Sequence, residues 1–83
     1  MYHVYILRCS DGSLYVGSTN DLSARVARHN AGQGAHFTST RRPIDLVYSE
    51  PHPDRATALQ RERQLKRWRR AKKEWLISLR QSE

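Results

Sequence analysis

The chain has a single cysteine, Cys9, so an internal disulfide is excluded, and no Cys/His pairing has zinc-like spacing. A reduced, cytoplasmic setting is the expectation. No stretch approaches the roughly 20 apolar residues of a membrane-spanning helix. Met1-Tyr2-His3-Val4-Tyr5 has no basic leader running into an apolar segment, so no secretory signal is expected. There is no repeat and no low-complexity tract. Acidic residues are scarce, eight Asp and Glu against fifteen Lys and Arg, and they do not cluster as a two-metal phosphodiesterase would require.

The 83 residues suffice for one domain, expected to span 1–83, with a compact core. The net charge is +7, and eight of the fifteen cations lie between Arg61 and Lys73. Such a field draws in polyanions. A membrane surface would need a broad apolar helix face, and this stretch offers only Leu65 and Trp68. Nucleic acid is therefore the expected partner, with no membrane role.

Tyr2 to Cys9 reads as a strand, Asp11-Gly12 as a turn, and Leu14 to Ser18 as a second strand. Loop length decides the facing. A two-residue turn would put Tyr5 and Tyr15 on opposite sides of the sheet. A three-residue loop, with Gly12 left-handed in a G1 bulge, pairs Leu7 with Tyr15 and Tyr5 with Gly17 and brings both phenols to one face. The latter is expected.

Asn20 or Asp21 caps a first helix that runs to about Ala31 and stops at Gly32. Gln33 to Arg42 reads as a polar loop and Ile44 to Ser49 as a third strand, broken by Pro51 and Pro53. Asp54 caps a second helix from about Arg55 to Arg67. A last helix, near Ala71 to Leu79, should carry Trp75, Leu76 and Leu79 inward. The order ββαβαα predicts an α+β fold, a three-stranded, mainly antiparallel sheet flanked by helices.

Several residues fit a purely structural role poorly. Leu59, Glu62 and Leu65 follow at steps of three with Ala58 alongside, which places Glu62 in the apolar stripe of its helix. An inward carboxylate is costly unless it is paired or holds a cation. An ion pair with Lys66 at i,i+4 accounts for it, and so does a metal. Arg25 and His29 share one flank of the first helix, either as a solvated Arg and a boundary His or as a phosphate-binding pair. Tyr5 and Tyr15 read as core aromatics or as site residues. His3, His36 and His52 are isolated.

His3-Val4-Tyr5 followed by Tyr15-Val16-Gly17 resembles the paired signature of the GIY-YIG nuclease superfamily. Arg25-Val26-Ala27-Arg28-His29-Asn30 resembles its helix motif, and Ala58 to Lys66 the later helix with its metal-binding glutamate. The likeness spans about residues 2 to 77 and is nearest to small, stand-alone bacterial members. It departs from the pattern where His-Val-Tyr lacks the glycine of the first motif, and where His36 and Phe37 replace a common lysine and tyrosine.

The resemblance implies a metal-dependent endonuclease of low sequence specificity acting on DNA, with one Mg²⁺ or Mn²⁺ held at Glu62. Tyr5 would be general base, Tyr15 would support it or the phosphate, Arg25 would offset transition-state charge, and His29 would assist proton transfer. His36, Lys66, Arg67, Arg69, Arg70, Lys72 and Lys73 would contact nucleic acid through phosphates. A monomer is expected, with targeting open to a protein partner. A binding module that kept the fold without the chemistry is the alternative, and an assembly protein using its basic helix is a third.

Overall fold

The computed structural model describes residues 1–81. Its elements are β1 (Tyr2–Arg8), β2 (Leu14–Thr19), α1 (Leu22–Asn30), α2 (His36–Ser39), β3 (Asp45–His52), α3 (Arg55–Arg67) and α4 (Arg70–Gln81). The sheet is antiparallel in the order β2-β1-β3, so β1 is central and β2 and β3 are edges. No helix among the described residues is long and apolar enough to cross a membrane.

The hairpin follows the three-residue loop. Cys9 N–H donates to Ser13 O and Gly12 N–H to Cys9 O, both at 2.9 Å, with Gly12 at φ +86°. Leu7 consequently pairs with Tyr15 and Tyr5 with Gly17. Asp21 caps α1 by accepting from Ala24 N–H, and Asp54 caps α3 by accepting from Thr57 N–H. Gly32, at φ +82°, closes the end of α1.

The two sheet faces carry different layers. Tyr5, Leu7 and Cys9 face Ile44, with Leu22 and Val26 of α1 and Tyr15 packed alongside. Val4, Ile6 and Val16 face the other way, onto Ala58 and Leu65 of α3 and Leu76 and Ile77 of α4. Helix α4 is held to the hairpin by a bidentate Arg8–Glu74 pair at 2.7 and 2.8 Å and by Arg70, which donates to Gly12 O at 2.6 Å.

Three expectations are corrected. The segment expected as a loop contains the one-turn helix α2, in which Ser39 and Thr38 hydroxyls donate back to the carbonyls of His36 and Ala35. Strand β3 continues through Pro51 to His52, because an edge strand tolerates a residue without a donor. In α4 the inward residues are Leu76 and Ile77, whereas Trp75 is 53 % exposed and Leu79 47 %. The ties at Arg70 and Glu74 set the helix rotation, and at 100° per residue that turns Trp75 away from the sheet.

Candidate active site

The site is built around Gly17. Tyr5 lies opposite it across the β1–β2 ladder, and the Tyr5 side chain folds over the space a side chain would otherwise fill. A Cβ on Gly17 would stand 2.4 Å from the phenol oxygen. The phenol is thereby fully buried at the β2 side of the sheet, where its oxygen meets His29 Nε2 at 3.2 Å.

His29, in the last turn of α1, is 1 % exposed. Its other nitrogen, Nδ1, meets Thr38 Oγ1 at 2.7 Å. The Thr38 hydroxyl donates its one proton to Ala35 O at 3.1 Å, so it accepts from His29 and Nδ1 carries the hydrogen. Nε2 then holds a lone pair, and Tyr5 O–H donates to it. Gly34 completes the pocket, since a Cβ there would lie 2.4 Å from His29 Nδ1.

Burial, joined by the charges of Arg25 and Arg28, holds the His29 pKa below its ordinary 6.5, which keeps Nε2 an acceptor at neutral pH. Burial also pushes the Tyr5 phenol up. Arg25 opposes that rise, while Tyr15 and Glu62 add to it. These influences show that Arg25 and Glu62 both lie within electrostatic reach of the phenol. The Tyr15 ring is 5.1 Å from that of His29.

Glu62 arrives from the opposite layer. Helix α3 covers the Val4–Ile6 face, and Glu62 reaches β2 at Ser18. Ser18 Oγ donates to Glu62 Oε1 at 2.6 Å, and Lys66 Nζ lies 2.8 Å from Oε2. Burial works against this carboxylate, but the Lys66 and Ser18 hydrogen bonds, with the charges of Lys66 and Arg63, outweigh it and lower its pKa. The ion pair expected from the i,i+4 spacing is therefore present. A polar cavity of about 350 Å³ opens beside it, lined by Ser18, Thr19, Asn20, Arg25 and Arg55 among others.

Tyr5, Tyr15 and His29 are thus in contact, with Arg25 and Glu62 within electrostatic reach of the Tyr5 phenol. The basic run is not kept as one surface. Trp68 leaves α3 in an extended conformation and splits it. Arg70 is tied to Glu74 and Gly12, and Lys72 sits 4.2 Å from the Trp68 ring centroid. Arg67 lines a separate outer cleft beside Trp68, and Arg69 is exposed. Lys66 and Lys73 face the β2 edge, and His36 is exposed on α2. His52 is bound to Glu50, away from the site. Among the described residues no group of three or more His, Cys, Asp or Glu converges.

Sequence reasoning missed Ser18, Gly34, Thr38 and Arg55. Only Gly34 carried a usable signal, a second glycine two positions after the helix stop.

The family model of the GIY-YIG catalytic domain matches residues 1–74. The chain belongs to that family. It is a family of nucleases. This GIY-YIG domain is similar to the UPF0213 proteins of Staphylococcus aureus strains Mu50 and N315, each 51 % identical over 76 residues, covering 92 % of this chain and 93 % of theirs. Its fold matches the solution NMR structure of a UPF0213 protein from Bacillus halodurans, with TM-score 0.61 and 42 % identity over 95 % of this chain and 85 % of that one. In the GIY-YIG domain described above, the two signature tyrosines are neighbours on one sheet face through the Gly17 register.

Thr38→Val tests the histidine assignment. It leaves a buried Nδ1–H without an acceptor, so a loss of about 1–3 kcal/mol is expected in denaturant unfolding, with Thr38→Ser near the parent. The parent's pH dependence has a defined sign. The unfolded chain takes up the His29 proton near 6.5 and the folded chain only at lower pH. This contribution is intact above 6.5 and is lost as the pH falls towards the folded-state value.

Proposed function

We propose that this GIY-YIG domain is a metal-dependent endonuclease that hydrolyses phosphodiester bonds in DNA with little sequence preference. The observation that carries the reading is the Tyr5–His29–Thr38 hydrogen-bond chain, with Arg25, which lines a polar cavity, and Glu62 in electrostatic reach of the phenol. A purely binding surface has no need of a buried phenol facing a neutral histidine.

Glu62 suits a hard divalent cation such as Mg²⁺ or Mn²⁺. Its carboxylate is ionised, half-buried and already attracts one cation, the Lys66 ammonium. That lysine is 51 % exposed, so the pair is weak and readily exchanged. A single carboxylate is enough for an ion that keeps most of its waters. Such an ion supplies Lewis-acid stabilisation of charge on the phosphate.

The chain's own residues supply the rest. In the proposed reaction a water gives its proton to the Tyr5 oxygen as the phenol's own proton passes to His29 Nε2. The water oxygen bonds to phosphorus, the ester P–O bond opposite breaks, and the leaving oxygen takes a proton from solvent water. Tyr5 therefore need not be ionised beforehand, which fits its raised pKa. Thr38 holds the histidine in the receptive tautomer. Arg25 offsets the charge gathering on the phosphate. Tyr15 backs the histidine ring. The affinity for DNA comes from the +7 field acting on phosphates, which carry no base sequence.

The binding-module alternative draws on one observation, that Lys66 already satisfies Glu62. Supercoiled plasmid separates the two. Nicking is expected with Mg²⁺ or Mn²⁺ and not with EDTA, and Glu62→Ala should fall to the EDTA level while retaining DNA binding. Equal nicking by Glu62→Ala removes the enzymatic reading and leaves the binding module.

A further inference from the structure

A second feature lies on the same free edge of β2, towards the hairpin. Leu14, Tyr15 and Val16 of β2 line a groove of about 220 Å³ together with Phe37, Lys66 and Lys73. That is below the roughly 300–1,000 Å³ of a pocket for a whole drug-sized ligand, and suits one planar ring system. It lies two or three residues along β2 from Gly17 and Ser18, about 7–10 Å at the rise of a strand.

The groove's aromatic wall continues the buried site outward. The His29 and Tyr15 rings are 5.1 Å apart, Tyr15 and Phe37 stack at 6.1 Å with 27° between planes, and the Arg41 guanidinium lies 4.1 Å from the Phe37 centroid. Phe37 is 37 % exposed although it is the chain's only phenylalanine and neighbours the fully buried Thr38. Two aromatic rings and two ammonium groups lining one groove complement a planar base attached to phosphates.

We propose that this groove seats an unpaired nucleobase against Tyr15 and Phe37, with Lys66 and Lys73 taking the flanking phosphates. The substrate class is then DNA with a single-stranded segment next to the scissile phosphate. The inference rests on the reading of the β2 edge as the nucleic-acid path. Duplex bases are stacked on both sides and offer no free face to Phe37, whereas unpaired bases do.

The test is a binding measurement in EDTA, so that it does not depend on cleavage. A short thymidine oligomer carrying 2-aminopurine is compared with a blunt duplex of the same length, for the parent, Phe37→Leu and Phe37→Trp. The parent should prefer the single strand and quench the 2-aminopurine. Phe37→Leu should weaken single-strand binding about tenfold and duplex binding by less than about twofold, and Phe37→Trp should restore it. Equal effects of Phe37→Leu on both ligands, no effect on either, or a parent that prefers duplex would overturn the proposal. Should Phe37→Leu melt early, Phe37→Trp decides alone, since unquenched 2-aminopurine at saturation is equally fatal. Failure of metal-dependent nicking with this preference intact would fall on the catalytic reading only.

Discussion

Replacing Tyr5 with phenylalanine should slow plasmid nicking by about a thousandfold while leaving a folded protein, the order expected when a positioned acid–base group is lost. The change removes one oxygen from a residue with no solvent exposure. Its ring still fills the space over Gly17. The oxygen's partner, His29 Nε2, is left as a buried acceptor without a donor, at a cost of about 1–3 kcal/mol. Small domains have about 5–15 kcal/mol in hand, so the variant should fold. The rate is to be measured at saturating DNA beside a thermal melt. In the parent, nicking should hold level through pH 6.5 and decline only when the pH falls through the lowered folded-state pKa of His29, where the imidazole gains its proton. A Tyr5→Phe protein within about tenfold of the parent would show that the phenol carries no proton.

Gly17→Ala should be nearly as damaging although it removes nothing. The new Cβ would lie 2.4 Å from the Tyr5 oxygen and 2.6 Å from Cζ, distances no packed pair sustains. The backbone at Gly17 is not left-handed, so alanine's own conformational preference is not the obstacle. The phenol must move, and it is enclosed by the α1 layer. A displacement of about 1 Å from reacting geometry costs about a hundredfold in rate, and overpacking costs about 1–3 kcal/mol in stability. The two effects share one cause. Combining Gly17→Ala with Tyr5→Phe should therefore be no slower than Tyr5→Phe alone. A Gly17→Ala protein that nicks at the parent rate would remove the close packing from the account.

The hairpin register was legible because it depends on three residues, Ser10 to Gly12, and on the left-handed backbone that glycine accepts at Gly12. The inward position of Glu62 was legible from helical periodicity, and the observed Ser18 and Lys66 partners satisfy it. Thr38 was not legible. Its contact with His29 requires the turn at Gly32, the closeness of Gly34 and the one-turn α2 together, none of which follows from periodicity. The exposure of Trp75 was misread for a similar reason, since apolar character does not set a helix's rotation when ion pairs at Arg8, Arg70 and Glu74 do.

The amino-acid sequence alone determined the three strands and the helices α1, α3 and α4 in outline, that Asp54 starts α3, and that Tyr5 and Tyr15 share a face. Those properties arise from hydrogen bonds and side-chain periodicities within a few residues of each other. Only the tertiary structure decided that Glu62, on a helix covering the other side of the sheet, bonds Ser18 of β2 within electrostatic reach of the phenol, and that the basic run divides at Trp68. Those outcomes rest on contacts such as Tyr5–His29 and Ser18–Glu62, 24 and 44 residues apart, which exist only once the layers have packed.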